Sequence, residues 1–223
     1  MTTRTRRIER RSDALSKQRI VEAAIEILDT DGESALTFRA LAARLATGSG
    51  AIYWHIADKN ELLAAATDAV ITRAMAGVIG AAEPRQAIRA IALGVFDAID
   101  AHPWTGAQLF REPWRPAMLQ IFEGIGSRLQ ALGIPEKAQF DSWSTLVNYI
   151  LGVAGQNAVN ARLLPPETDR AAFLSTVTAQ WAKFAPAESS FVHQVATQLR
   201  EHDDRAQFLA GIDLILAGIE TIR

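Results

Sequence analysis

The chain has 223 residues, a formal net charge of −2 and no cysteine. That length accommodates a small domain plus a larger one, and the lack of cysteine excludes disulfides, cysteine-ligated metals and thiol nucleophiles. The near-neutral total conceals an asymmetry, because residues 1–19 hold seven Arg and Lys against two acids, a local +5, and the remainder carries −7.

A basic arm on a mildly acidic body suits a protein that meets a polyanion at one end. Salt screening keeps that attraction local, so mild overall acidity does not oppose it. Residues 1–13 are expected to form a flexible arm. Its Arg6, Arg7, Arg10 and Arg11 would enter a minor groove or track phosphates, or serve only as a solubilising tail. The first residues lack the apolar stretch of a secretory signal, and no segment approaches the roughly 20 uninterrupted apolar residues of a membrane helix. The expectation is a soluble cytoplasmic protein without membrane contact.

Residues 13–31 read as an amphipathic helix. Ile20, Ala24 and Leu28 make one row, Val21 and Ile25 fill the stripe beside it, and Gly32 supplies a C-terminal cap. Thr37 then caps a short helix in which Phe38, Leu41 and Leu45 share an inward face. Gly48 and Gly50 are expected to give a tight turn, since a missing Cβ permits a sharp change of direction. Ile52 and Ile56, four apart, anchor a second short helix and leave Ser49, Ala51, Tyr53, Trp54 and His55 for its other faces. Two brief helices around a small-residue turn are the parts of a helix-turn-helix, and the second has the width of a DNA major groove. Asp58-Lys-Asn-Glu61 is a capping box, with Asp58 as cap and Glu61 reaching back. It opens an alanine-rich helix through Leu62, Leu63, Ala66, Val70 and Ile71 to about Ile79.

The rest of the chain reads as helix after helix. Pro84 sits in the first turn of a helix over 84–101, which His102-Pro103 ends. Pieces around 105–110 and 115–132 follow, broken by Pro113, Pro116 and Gly133. Pro135 opens a long helix to about Arg162, stopped by Pro165-Pro166. Further helices are expected over 168–184, 188–200 and 204–222. The fold class is all-α: a helix-turn-helix unit over 14–64 and a larger helical domain over 65–223. Residues 141–159 and 208–219 are apolar over a broad arc and hold Gly152 and Gly155, and Gly211 and Gly218. Such helices are either central to the core or packed against a second subunit.

The stretch 14–64 resembles the tetracycline-repressor (TetR) family of bacterial transcription regulators. The resemblance is carried by Ala23-Ala24 with Leu28 and Gly32, by Leu36-Thr37-Phe38-Arg39-Ala40-Leu41-Ala42, and by Ala51-Ile52-Tyr53-Trp54-His55-Ile56 followed by Asp58-Lys59 and Glu61-Leu62-Leu63. Family members often carry Leu-Gly-Val where this chain has Leu45-Ala46-Thr47, and Ala46 implies a slightly different turn. The resemblance implies a homodimer through late helices, about 135–162 and 204–222, and a small-molecule effector in the larger domain. It implies a DNA-binding regulator, most often a repressor, whose dimer reads a near-palindromic operator with half-sites about 34–36 Å apart.

Arg39 suits a paired contact to guanine, or a phosphate contact. Thr37 and Lys59 suit phosphate oxygens, although Lys59 could instead pair with Asp58 or Glu61. Tyr53 and His55 resemble the family's phosphate-contacting positions; Tyr53 could instead pack on the first helix, and Trp54 is expected to pack rather than read bases. Ser49, Gly50 and Ala51 are placed to face base edges, with Ala51 meeting a thymine methyl group, and Thr47 lies at their entry. Specificity then leans on Arg39, the arm and DNA shape.

Trp104, Phe110, Trp114, Phe122, Trp143, Tyr149 and Trp181 are many large rings for one helical domain. Each individually suits a core. A few of them are expected to line an apolar cavity with His102, Gln108, Asn148, Gln156 or Asn157 giving orienting hydrogen bonds, which fits a flat or lipophilic effector. No cofactor and no metal are expected. A non-specific architectural DNA binder is the alternative. An enzyme finds little support: Gly48-Ser-Gly50 lacks the Gly-Lys-Ser/Thr and preceding strand of a phosphate loop, and His193, His202, Asp203 and Asp204 straddle a helix end.

Overall fold

Local hydrogen bonds set most helix boundaries. The Ser16 hydroxyl accepts from the Arg19 N–H at 3.3 Å and opens α1 (Lys17–Asp31), whose inner face buries Ile20, Val21, Ala24, Ile25 and Leu28 as the periodicity predicts. Gly32 ends it at φ +79°, a conformation that suits a residue without Cβ. Thr37 accepts from the Ala40 N–H at 3.1 Å and opens α2 (Phe38–Arg44). After α3 (Ser49–Tyr53), Asp58 accepts from the Glu61 N–H at 2.8 Å at the start of α4 (Lys59–Ala76). Glu61 does reach back, but to the Ala57 N–H at 2.7 Å rather than to the cap residue's own. That bond, and then the Lys17 ammonium at 2.7 Å, hold the Glu61 carboxyl below the usual carboxylate range.

In this computed structural model the described residues are 15–78, 83–163, 170–183, 190–199 and 202–222. Among them every regular element is an α-helix, as the sequence led us to expect. The arm and its Arg6, Arg7, Arg10 and Arg11 lie outside the described residues.

The larger unit contains α5 (Pro84–Ala101), α6 (Trp104–Arg111), α7 (Pro116–Ala131), α8 (Glu136–Leu163), α9 (Arg170–Trp181), α10 (Ser190–Leu199) and α11 (Asp204–Glu220). Pro84 and Pro116 occupy first turns, where a missing N–H costs nothing. α5 is the central element: it packs on α4, α7, α8 and α11 and buries Ile88, Ile91, Val95, Phe96 and Ile99. Phe96 stacks on Phe208 of α11 with ring centroids 4.6 Å apart. Arg85 holds Glu220 at 2.9 Å and reaches Asp213 at 3.5 Å, and Arg89 also holds Asp213, so three ion pairs flank the same α5–α11 seam. α4 packs on α1, α5, α6 and α7 and is therefore the strut between the two units. The N-terminus of α7 is tied to it by the Asp68 carboxylate, which accepts from the Ala117 N–H at 2.9 Å.

α8 and α11 are each two-sided. Leu146, Ile150, Leu151 and Ala154 of α8, and Phe208, Ile212, Leu216 and Ile219 of α11, are buried within the chain. The opposite faces expose Val159 and Leu214, the latter at 76 %. The glycines divide accordingly. A methyl at Gly152, Gly155 or Gly218 would meet open space, whereas one at Gly211 would overlap the Tyr149 hydroxyl and ring. Gly211 thus serves close packing of α8 on α11 inside the chain.

Candidate nucleic-acid interface and cavities

The turn between α2 and α3 is built differently from expectation. The Thr47 N–H bonds to the Ala42 carbonyl at 2.9 Å and the Ala46 N–H to the Ala43 carbonyl at 3.3 Å. This is a Schellman motif, which needs a left-handed residue between helix and exit. Ala46 is that residue, at φ +51°, and among the described residues no other non-glycine has positive φ. Gly48 and Gly50 do not make the bend: Gly48 is the extended N-cap of α3 and Gly50 lies within it. Ala46 therefore takes up the conformation that a glycine would adopt without strain.

α3 offers only five residues, and Ile52 with Ile56 beyond its end consumes the inward direction. Ser49 and Ala51 are half-buried, Gly50 is exposed, and Thr47 is half-buried at the entry. Tyr53 is 56 % exposed and stacks on Phe38 at 4.3 Å with 6° between ring planes, so it packs on α2 and not on the first helix. The expectation that Trp54 packs is overturned. It is 89 % exposed, because it lies two residues from each anchoring isoleucine and so points away from the core. His55 beside it is exposed as well. The spacing of the two isoleucines already left Trp54 for an outer face; the size of its apolar ring alone argued for packing.

Thr37 is exposed, and its hydroxyl accepts the capping bond while retaining its proton for an outside acceptor. Arg39 is exposed on α2 and makes no ion pair among the described residues. Lys17 and Arg44 are neutralised by Glu61 and Glu26. The Lys59 ammonium lies 2.5 Å from the Glu33 backbone carbonyl, and so is held by neither Asp58 nor Glu61.

Glu33 and Asp29 also fasten the small unit to the body. The Trp104 Nε1–H donates to Asp29 at 2.8 Å, and His102 Nδ1 lies 2.9 Å from the same carboxylate. Gln108 donates to the Glu33 carboxylate at 3.3 Å, and Arg111 pairs with it at 3.5 Å. α6 is thereby clamped across the end of α1.

The twelve predicted cavity residues do not converge on one pocket. Trp104, Phe110 and Gln156 line a cleft of about 680 Å³ between the end of α1, α6 and α8. Gln108 lines a cavity of about 190 Å³ between α4, α6 and α7. Phe122 and Trp143 meet edge to face at 4.6 Å on the α7–α8 seam. Tyr149 stacks on Phe208 and donates to its carbonyl at 3.3 Å, and burial raises its phenol above the ordinary range. Asn157 donates to Asp100 at 2.9 Å, His102 is bound to Asp29, Trp114 and Asn148 are exposed, and Trp181 is half-buried on α9. The reason is angular: Trp143 and Tyr149 are six residues apart on one helix, roughly 120° around its axis, and face different neighbours. A further cavity of about 680 Å³, lined by Met75, Val78, Ile91, Leu119, Gln120 and Arg128 among others, lies between α4, α5 and α7 and contains none of the predicted rings. His202 pairs with Asp204 at 3.0 Å across its turn, and the described residues hold no group of three metal-ligating side chains.

Comparison with known proteins places these features in context. Residues 20–66 match the family described as "Bacterial regulatory proteins, tetR family", and residues 82–223 match "Tetracyclin repressor-like, C-terminal domain". An HTH-type transcriptional regulator of Saccharopolyspora erythraea is 28% identical over 92% of this chain and 87% of its own length. The HTH-type transcriptional repressor DrrR1 of Streptomyces coeruleorubidus is 26% identical over 93% and 78%. Among solved structures, a TetR transcriptional regulator of Streptomyces coelicolor is 52% identical, with 94% of this chain and 99% of that one covered and a TM-score of 0.86. ActR of the same organism, solved in complex with actinorhodin, shares the fold at 21% identity and a TM-score of 0.72, covering 92% of this chain and 97% of its own.

Proposed function

This chain belongs to the TetR family of bacterial regulatory proteins, and we propose that it is a sequence-specific DNA-binding repressor released or engaged by a small apolar or aromatic effector. The observation that carries the reading is the outward surface of α2 and α3. It groups Arg39, which makes no ion pair among the described residues, the capping Thr37, and the exposed Gly50, Tyr53, Trp54 and His55 around two short helices. Arg39 supplies base readout, Thr37 and Tyr53 position the phosphates, and Ser49 and Ala51 meet base edges. Lys59 sits beside them at the start of α4, where its ammonium exchanges the Glu33 carbonyl for a phosphate oxygen. Because the other cations of this unit named above are paired with acids, the arm adds much of the attraction to phosphate.

The functional units are the arm over 1–13, the DNA-binding unit over 14–64 and the effector and dimerisation domain over 65–223. The exposed Leu214 face of α11, with Gly218 open one turn along it, supports a homodimer through the late helices, about 135–162 and 204–222. Burying one such large side chain stabilises by roughly 1.5–3 kcal/mol. Repression is supported by the relative DrrR1, and an aromatic effector by ActR, which is solved with actinorhodin. The effector acts through α4, which runs from the DNA-facing Lys59 into the body. It shifts the two heads only by the difference in its affinity for their arrangements.

Selection of bound duplexes from random DNA tests this. The expected result is a near-palindrome with half-sites one helical turn apart, preferred over competitor by about 10³-fold or more. Equal retention of all sequences would overturn it in favour of an architectural binder.

A further inference from the structure

We propose that the cleft between the DNA-binding unit and the helical body is a binding site for a planar aromatic amine or cation. The binding itself stands on the cleft alone; its consequence for DNA rests on the regulator reading above.

At about 680 Å³ the cleft lies within the roughly 300–1,000 Å³ range of small-molecule sites. It has the form of a slot. α6 approaches α8 at Gly106, where a Cβ would lie 4.0 Å from the Gly155 Cα, and Gly155 itself projects nothing. Gly106, Gly152 and Gly155 keep one wall low between Leu151, Gln156 and Val159, which suits a flat molecule rather than a branched one. Trp104, only 3 % exposed, forms the inner end, and Phe110, 59 % exposed, stands at the rim with no ring partner among the described residues. An aromatic rim beside carboxylates is favourable to a cation over the ring face.

The charged residues lining the slot are two carboxylates, with Thr30 and Gln156 as neutral polar neighbours. Asp29 and Glu33, both from the DNA-binding unit, line it. Each already takes two donors, Trp104 of α6 and His102 at the end of α5 on Asp29, Gln108 and Arg111 of α6 on Glu33. An ionised carboxylate offers about four acceptor positions, so each retains capacity for another donor. A ligand amine meets charge-assisted acceptors here, whereas a carboxylate or phosphate brings no donor to them. Such a ligand touches both units at once and draws on the very carboxylates that clamp α6 to α1. Occupancy thus selects one angle of the DNA-binding unit on the body.

The probe is proflavine, a planar tricyclic diamine, added to the purified full-length protein in equilibrium dialysis without DNA. Saturable binding of one dye per chain is expected, with anthracene-2-carboxylate at least about tenfold weaker. Phe110→Ala and Asp29→Asn are each expected to weaken proflavine about tenfold. Leu119→Trp, which fills the separate cavity between α4, α5 and α7, is expected to leave it unchanged. Phe110 is exposed, so its variant is expected to fold, and circular dichroism of each variant confirms it. Absence of saturable binding, equal affinity for the anion, an unaffected Phe110→Ala, or loss of the dye in Leu119→Trp would each overturn the proposal. A chain that selects a palindrome but ignores proflavine refutes only this site; one that binds proflavine here but selects no DNA refutes only the regulator reading.

Discussion

Ala46 and Gly133 occupy the same place in the same motif, and that makes a sign-reversed pair of substitutions informative. α7 ends as α2 does: the Ile134 N–H bonds to the Leu129 carbonyl at 3.2 Å and the Gly133 N–H to the Gln130 carbonyl at 2.9 Å, with Gly133 at φ +75°. α2 uses an alanine for this job at φ +51°. An L-residue in the left-handed region loses roughly 1–2 kcal/mol to contact of Cβ with the backbone. Ala46 is exposed, so its methyl contributes little burial in return. Replacing it by glycine removes that strain but frees the unfolded chain, which takes back about 0.4–1 kcal/mol. The expected net gain for Ala46→Gly is about 0.5–1 kcal/mol. Gly133→Ala introduces a methyl that meets no atom within 4 Å, so only the backbone term remains and the expected loss is of similar size. Urea denaturation at fixed protein concentration measures both. For a chain of this length each kcal/mol shifts the thermal midpoint by roughly 2–4 °C. The double variant is expected to return near wild type, since the two turns share no partners. A neutral or destabilising Ala46→Gly alongside a destabilising Gly133→Ala would refute the assignment of strain to Ala46.

Other outcomes separate roles at the DNA face and in the core. Arg39→Ala is expected to relax preference at one half-site position, at a cost of about 1–3 kcal/mol, while Lys59→Ala weakens all sequences alike and lowers the salt slope by about one; fluorescence anisotropy across a salt series distinguishes them. Gly211→Ala normally favours a helix, yet here it is expected to destabilise by roughly 1–3 kcal/mol because the methyl overlaps Tyr149, and a less-than-additive Tyr149→Ala/Gly211→Ala double variant checks the cause. Asp213 is held below the usual carboxylate range by its bond to Arg89, assisted by Arg85. A depressed folded pKa stabilises above the unfolded value near 3.9 and loses that effect as pH falls through the folded value. The urea-midpoint deficit of Asp213→Asn at about pH 6 is therefore expected to shrink toward about pH 3.

Helix starts and stops were written locally. Ser16, Thr37, Asp58 and Asp203 cap their helices with their own side-chain oxygens, and Pro84 and Pro116 sit where no N–H is required. Those choices involve atoms three or four residues apart, so the one-dimensional chain contains them, and with them the all-α class and the paired short helices. The sequence by itself also determined which residues had to face inward, through the spacing of Ile20, Leu28, Ile52 and Ile56. Only the tertiary structure decided what faces outward and who partners whom. Lys59 meets the Glu33 carbonyl across 26 positions, and Trp104 meets Asp29 across 75. Trp54 is exposed because the direction of a five-residue helix is set by its two anchors, and the predicted cavity rings disperse because each helix turns them toward different neighbours. Side-chain type specifies what a residue can bond to; the packing of distant helices specifies what is within reach.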